Sequence, residues 1–173
     1  LTGNIACTVF FGVDHKETYD TLFLTGLRIG ELCALRWCDL DLEHKKLSVR
    51  GSFSTASRKV TSPKTKTSIR TIDLPNRLVE ELKQRYERKK KLDGFNDNYY
   101  VFGDIAITWP GTFRYRFNND LKNVNVKRIT IHGFRHSHAS YLLSNPMISE
   151  SLVAERLGHS RSEERRVGKE CRS

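Results

Sequence analysis

The sequence predicts an α+β domain that is mainly helical and carries a small antiparallel β-sheet. Apolar residues recur with helical spacing in several separate segments, and they partly alternate with polar ones in segments 47–53 and 69–74. Hydrophobic residues make up 38% of the chain, which is enough for a packed core at this length. We therefore expect one globular domain.

Two helices are predicted close together near the start of the chain. Residues 19–23 place apolar side chains on one helical face, and Gly26 is positioned to end that helix. A second helix is predicted from Ile29 through Arg36, with apolar residues at i, i+3 and i+4. Arg28 thus stands at a helix entrance, where unpaired backbone N–H groups favour an anion.

The stretch from residue 45 to 72 carries eight basic residues and no acidic one. An ordinary solvated surface mixes charges of both signs, so this stretch favours contact with DNA. Within it, residues 54–68 are predicted to form an exposed connection between two strands. The basic residues are Lys45, Lys46, Arg50, Arg58, Lys59, Lys64, Lys66 and Arg70.

The second half of the chain predicts four further helices. One begins at Pro75 with Glu81 and Arg85 paired on its outer side, and another covers 112–124. A third covers 132–143, and the fourth runs from a Ser149 cap to Gly158.

The helix at 132–143 is predicted to use two faces. His138 and Tyr141 belong to its apolar stripe, whereas His132 and Arg135 lie on an adjacent face at i and i+3. Those two residues can therefore reach the same ligand.

Net charge and cysteine content limit the class of protein. The formal net charge is +10 and the pI is near 9.6, which points to a polyanionic partner, with nucleic acid favoured over a membrane surface. The longest apolar run, 5–13, is too short to cross a bilayer and has no basic segment before it. The four cysteines form no Cys-x-x-Cys pair, which predicts a reducing, cytoplasmic setting.

Three histidines in 132–138 raise the alternative of a metal site. His138 falls on the apolar stripe, however, and no cysteine or acidic ligand follows at a recognisable spacing. We therefore predict no metal and no other cofactor.

Four segments, in order, resemble the conserved boxes of the tyrosine recombinases, the phage-integrase family. Residues 25–37 (TGLRIGELCALRW) resemble the first arginine box, and 62–75 (SPKTKTSIRTIDLP) the lysine-bearing β-hairpin. Residues 132–139 (HGFRHSHA) resemble the His-x-x-Arg box, and 157–160 (LGHS) the third-histidine box. More narrowly, the chain resembles integrases of Gram-positive phages and conjugative transposons, over residues 19–160.

The resemblance implies site-specific DNA cleavage and rejoining through a 3′-phosphotyrosine intermediate. Arg28 and Arg135 are then expected to bind phosphate oxygens, because a guanidinium stays charged and can bond two oxygens at once. Glu31, one turn after Arg28, is expected to orient the residues of the site without contacting the phosphate itself. Double-stranded DNA at attachment sites is the expected partner. The full-length protein is expected to bind it as a homo-tetramer, with excisionase or DNA-bending proteins as possible further partners.

The proton-transfer and DNA-binding roles also follow from the resemblance. Lys64 is the candidate acid for the departing 5′-oxygen, with Lys66 as the alternative. His132 is the candidate proton acceptor for the attacking phenol, and His159 is a candidate hydrogen-bond donor to the phosphate. The predicted DNA contacts outside the reacting group are Arg58, Lys59, Lys66 and Arg70.

The chain departs from the family at its nucleophile. All six tyrosines precede His159, and the position corresponding to the family's tyrosine is Gly168. Residues 161–173 resemble the translation of a sequencing adapter, so we expect a catalytic domain at 19–160, an unassigned segment at 1–18 and a non-native tail at 161–173. The polypeptide as written is then predicted to be inactive.

Two alternatives remain at the level of sequence. One is a non-catalytic DNA-binding relative or regulator of a recombinase. The other, an RNA-binding domain, lacks support, because no RNP-type aromatic motif, KH loop or zinc knuckle is present.

Overall fold

A computed structural model describes residues 13–62, 69–122, 124 and 128–158. Over these residues helices predominate and the strands are short, which confirms the mainly helical α+β expectation. The helices are α1 (Val13–Thr25), α2 (Ile29–Ala34), α3 (Asn76–Lys89), α4 (Pro110–Lys122), α5 (Ile131–Leu143) and α6 (Glu150–Leu157), with a 3₁₀ turn at Trp37–Asp39. The strands are β1 (Leu40–Asp41), β2 (Lys46–Val49), β3 (Ser52–Ser54), β4 (Lys59–Thr61) and β5 (Arg70–Asp73).

The antiparallel sheet has the order β1-β2-β5, and its central register places Leu47 opposite Ile72, both fully buried. The single strand predicted at 47–53 is wrong, because the chain breaks at Gly51 into β2 and β3. The predicted exposed connection at 54–68 contains β4, which pairs with β3 in a separate hairpin. Phe53 of β3 is buried, so this hairpin is attached to the core rather than free in solvent.

Helix α1 ends at Gly26 as predicted, with φ of +67° and the Gly26 amide donating to the Leu22 carbonyl at 3.0 Å. Helix α2 is shorter than predicted and ends before Arg36. Leu35 is extended because its carbonyl accepts a hydrogen bond from the Val101 amide at 2.9 Å. A partner distant in sequence therefore stops α2.

Two apolar clusters hold these elements. The larger one joins α1, α2, the sheet, α3, α4 and the start of α5, and includes the fully buried Leu22, Leu32, Leu78 and Leu82. The smaller one joins α5 and α6 through Ala139, Val153 and Leu157. Polar groups connect the two clusters, and they include the candidate functional residues.

The outer-face pair predicted between Glu81 and Arg85 is wrong. Arg85 points inward, where Nε donates to the Val101 carbonyl and Nη1 to Glu17 Oε2, each at 2.7 Å. Glu81 instead accepts from Lys16 of α1. The contacts of Arg85 and Glu81 therefore connect α3 to α1 and to the segment that contains Val101, instead of stabilising α3 alone.

The ends of α6 follow the prediction, since Ser149 Oγ accepts from the Leu152 amide at 3.2 Å and Gly158 has a φ of +66°. Tyr141 does not follow it. Although it was placed on the apolar stripe of α5, this side chain is 63% exposed. None of the helices in the described ranges has the length and apolar character needed to cross a membrane.

His138 does lie on the inward face of α5 and is 3% exposed. Its Nε2 accepts a hydrogen bond from Arg156 Nε of α6 at 3.2 Å, which requires the ring proton to be on Nδ1. Burial, together with the positive charges of Arg156 and Arg135, lowers the pKa of His138 to about 4. The imidazole is therefore neutral at pH 7.

We expect Gly26→Ala to destabilise the domain by about 2–4 kcal/mol, measured by urea denaturation. Position 26 has a left-handed backbone, and an added Cβ would lie 2.6 Å from Leu157 Cδ2 and 2.7 Å from His138 Cδ2. Gly111→Ala is the matched control, because a Cβ there meets nothing within 4 Å. Equal stability changes for the two variants would contradict this account.

We also expect stability to fall as the pH drops from 7 to 5. The folded pKa of His138 lies below that of the unfolded side chain, so the unfolded state binds more protons in this range. This linkage is worth about 2 kcal/mol between pH 7 and pH 5. Urea denaturation at both pH values should show a smaller loss for His138→Gln. An equal loss in the variant would show that His138 is not the group responsible.

Candidate functional site

Arg135 joins three segments of the predicted site. It lies on α5 and is 3% exposed. Its Nη1 donates to the Gly26 carbonyl at the end of α1, and its Nη2 donates to the Leu157 carbonyl at the end of α6, each at 2.7 Å. The first arginine box, the His-x-x-Arg box and the start of the third-histidine box are thereby brought to one place.

Arg28 lies directly before α2, as the sequence predicts, and its side chain is 33% exposed. Glu31, one turn later, accepts from the Arg28 amide at 2.8 Å and from Arg28 Nη1 at 3.4 Å. The same carboxylate accepts hydrogen bonds from both terminal nitrogens of Arg70, at 3.0 and 2.9 Å. Glu31 therefore links the half-exposed Arg28 to a second, buried arginine.

The charge of Glu31 is stabilised by these partners. Burial by itself raises the pKa of the carboxyl group, but the Arg70 hydrogen bonds and charge, with the Arg28 contacts, lower it below its ordinary value overall. Glu31 is consequently ionised at neutral pH and able to hold both guanidinium groups.

His132 is exposed on the first turn of α5, and its ring lies 4.7 Å from the ring of His136, centroid to centroid. It lines an open cavity of about 450 Å³ together with Leu27 and Ile29, the two neighbours of Arg28. The structure thus places His132 and the Arg28 segment on the same cavity.

Several predicted site residues are placed differently or fall outside the described ranges. Lys64, Lys66 and His159 are among the latter. Arg58 and Lys59 are exposed on the β3–β4 hairpin. The Arg58 guanidinium lies 5.7 Å from the Trp109 ring centroid.

Arg70 requires a correction. The sequence predicts a DNA contact at this residue, but its side chain is 6% exposed and is bound to Glu31 and to the Arg156 carbonyl. Its position on β5 explains this, because Arg70 and the buried Ile72 lie two residues apart on the same face of the strand. That alternation was the sequence signal that could have identified Arg70 as an inward residue.

Sequence reasoning also missed three residues near the site. Arg114 of α4 is exposed and lines the His132 cavity, Trp109 packs its ring against Phe53, and Arg156 holds His138. Arg114 lies in a helix recognised only by its apolar spacing, so its sequence position carried no signal. Among the described residues, no group of three or more His, Cys, Asp or Glu side chains could hold a metal ion.

The arrangement suits the binding of a phosphodiester. The exposed Arg114 and His132 line one cavity, and the half-exposed Arg28 lies at a helix entrance between Leu27 and Ile29, which line the same cavity. Guanidinium groups remain charged and bond phosphate oxygens in pairs.

Comparison with known proteins shows the family of the chain. The sequence profile of the phage integrase family matches residues 5–167. The ICEBs1 integrase of Bacillus subtilis (strain 168) is 32% identical over 154 residues, which cover 83% of this chain and 41% of that protein. The integrase of Staphylococcus phage L54a is 31% identical over 148 residues, which cover 79% of this chain and 42% of that protein. The chain thus spans about two fifths of the length of these curated relatives.

Solved structures show the same fold. The XerA recombinase matches with a TM-score of 0.71 and 21% identity, over 90% of this chain and 50% of that one. The Tn1549 transposon integrase, solved in complex with transposon right end DNA, matches with a TM-score of 0.64 and 22% identity, over 88% and 53%. With a family profile that covers nearly all of its residues and a catalytic-domain fold to match, the chain belongs to the phage integrase family.

Proposed function

We propose that the chain is the catalytic part of a site-specific DNA recombinase that cleaves and rejoins strands through a 3′-phosphotyrosine intermediate. The observation that carries the proposal is the pair of hydrogen bonds from Arg135 to the carbonyls of Gly26 and Leu157. They join three boxes that are far apart in sequence, which supports the proposal that these boxes meet at one phosphate.

Charge stabilisation is the role proposed for the arginines. Attack on the scissile phosphate adds negative charge to its oxygens, and a preorganised donor at that point is typically worth about 3–4 kcal/mol of barrier. Arg28 is oriented by Glu31 and half-exposed, so it is placed to meet this charge. Arg135 is 3% exposed and binds the carbonyls of Gly26 and Leu157, so its proposed contribution is a fixed positive charge at the point where the boxes meet.

The proton transfers are assigned to the remaining predicted residues. His132, exposed beside the cavity, would accept the proton of the attacking phenol. Lys64, or Lys66 in its place, would protonate the departing 5′-oxygen, and His159 would donate a hydrogen bond to the phosphate. These last three assignments rest on the sequence resemblance.

The substrate proposed is double-stranded DNA at an attachment site. Arg58 and Lys59 on the β3–β4 hairpin are exposed, and Arg114 adds a cation beside the cavity. The Tn1549 transposon integrase, of similar fold, was solved with transposon DNA. In the whole protein we further propose a homo-tetramer on two duplexes, assisted by excisionase or DNA-bending proteins.

A non-catalytic DNA-binding role is the second candidate. It is favoured by one observation, namely that Arg58 and Lys59 on the β3–β4 hairpin are exposed cations that can contact DNA without any reacting group. Such a protein would bind DNA electrostatically without needing Arg28 to be oriented toward a reacting phosphate.

We expect this polypeptide to form no covalent link to a nicked suicide duplex that carries the element's attachment site. The reason is that residues 160–173 supply no phenol to attack the phosphate. Denaturing gel electrophoresis detects the adduct, and a full-length recombinase of the family on its own site provides the positive control. A covalent protein–DNA band from this chain would refute the assignment of the missing nucleophile.

We expect salt-sensitive binding of a fluorescein-labelled 25-base-pair attachment-site duplex, measured by anisotropy. Arg28→Ala should weaken it about tenfold at 0.1 M salt, because a charge-assisted contact to phosphate is lost. It should also reduce the slope of log K against log salt by about 1. Arg77→Ala is the matched control, since this exposed arginine of α3 pairs with Asp20 and Glu81. Equal effects of the two substitutions would favour the non-catalytic candidate.

A further inference from the structure

We propose that Arg70 is a positioning residue, which fixes Glu31 so that Glu31 can orient Arg28, and which also holds the end of α6. This inference rests on the proposed function, because orienting Arg28 matters only if Arg28 meets a phosphate. It assigns Arg70 a role that differs from the DNA contact predicted from sequence.

Three nitrogens of the Arg70 guanidinium have defined acceptors. Nη1 donates to Glu31 Oε1 at 3.0 Å and Nη2 donates to Glu31 Oε2 at 2.9 Å, so the two planar groups face each other as a fork. Nε donates to the Arg156 carbonyl at 2.7 Å. One side chain therefore fixes a carboxylate on α2 and a backbone group on α6.

The carboxylate is fixed in the orientation that Arg28 needs. Glu31 Oε2 also accepts from the Arg28 amide at 2.8 Å, and Oε1 accepts from Arg28 Nη1 at 3.4 Å. Each oxygen is thus shared between the buried Arg70 and the half-exposed Arg28. Rotation of the Glu31 carboxylate would break contacts to both arginines together.

Burial separates Arg70 from the DNA-facing surface. The side chains of Arg70 and Glu31 are 6% and 5% exposed, whereas that of Arg28 is 33% exposed. A phosphate outside the domain can meet Arg28 but reaches Arg70 only through Glu31. Arg70 consequently acts on the site through its neighbours.

The contact with α6 has its own consequence. The carbonyls of the last turn of a helix have no partner inside the helix. Arg70 binds the Arg156 carbonyl and Arg135 binds the next one, that of Leu157. The two arginines hold adjacent carbonyls at the helix end that leads into the third-histidine box.

The test is a double-mutant cycle between Arg70→Lys and Arg28→Ala in binding of the 25-base-pair duplex. Lysine keeps the charge but cannot form the fork, so a direct phosphate contact would survive the change and a positioning role would not. We expect Arg70→Lys alone to weaken binding five- to tenfold and to lower the salt slope by about 1. In the Arg28→Ala background it should change Kd by less than twofold.

Arg85→Lys is the matched control, because Arg85 and Glu17 form an equally buried pair, with side chains 6% and 4% exposed. We expect it to lower stability without changing DNA binding. Glu31→Gln provides a second variant that should reproduce the binding loss of Arg70→Lys. Additive effects of Arg70→Lys and Arg28→Ala, or unchanged binding by folded Arg70→Lys, would overturn the proposal. So would failure of both Arg70→Lys and Glu31→Gln to fold, because the pair would then be a requirement of folding.

A measurement without DNA separates this proposal from the proposed function. The ¹⁵N–¹H heteronuclear NOE of Arg28 Nε reports how rigid that side chain is. We expect a rigid Arg28 in the original chain and in Arg85→Lys, and a mobile one in Arg70→Lys. If the original chain binds no DNA, the proposed function fails while the NOE still decides the role of Arg70. An equally rigid Arg28 in Arg70→Lys would refute that role.

Discussion

The two hydrogen bonds of Arg135 are the constraint on which the candidate site depends. They join residues that are 109 and 22 positions away along the chain, and they do so from a side chain that is almost fully buried. Burying a guanidinium group is expensive unless its donors are satisfied. The acceptors are carbonyls at the ends of α1 and α6. The same hydrogen bonds that satisfy the buried donors of Arg135 therefore also bring the boxes together.

The site occupies a polar seam between two apolar clusters. The larger cluster joins α1, α2, the sheet, α3, α4 and the start of α5, and the smaller one joins the rest of α5 to α6. Across the seam lie Arg70, Arg135 and Arg156, with the carboxylates of Glu31 beside Arg70 and Asp73 near Arg156. Arg70 is paired with the Glu31 carboxylate, whereas the acceptors of Arg135 are backbone carbonyls, which bind its guanidinium group without neutralising its charge. The neutral state of His138 fits this arrangement, since another cation there would be repelled. The seam therefore keeps an excess of positive charge beside the place proposed for a phosphate.

Features governed by neighbouring residues could be predicted from the sequence. Two helices end at a glycine with a left-handed backbone, Gly26 and Gly158, and Ser149 caps the start of α6. These three features depend on local chemistry, and all occur as expected. The convergence of the boxes was implied by resemblance. The early end of α2 depends on Val101, and the inward orientation of the Arg85 side chain depends on Glu17. Neither was predictable, because both partners are far away in sequence. A charged residue in a helix has the same pattern whether it faces water or a buried carboxylate.

The basic stretch at 45–72 shows how this limit affects function. Its charge favours contact with DNA, yet the register of the strands places only some of its basic side chains on the surface. Arg70 shares the inward face of β5 with Ile72, whereas Arg58 and Lys59 lie on the exposed hairpin. Charge inside the domain organises Arg28 through Glu31, and charge outside it is available to the phosphate backbone. A count of basic residues therefore overstates the DNA-facing charge, and the period-two alternation of the strand is what separates the two classes.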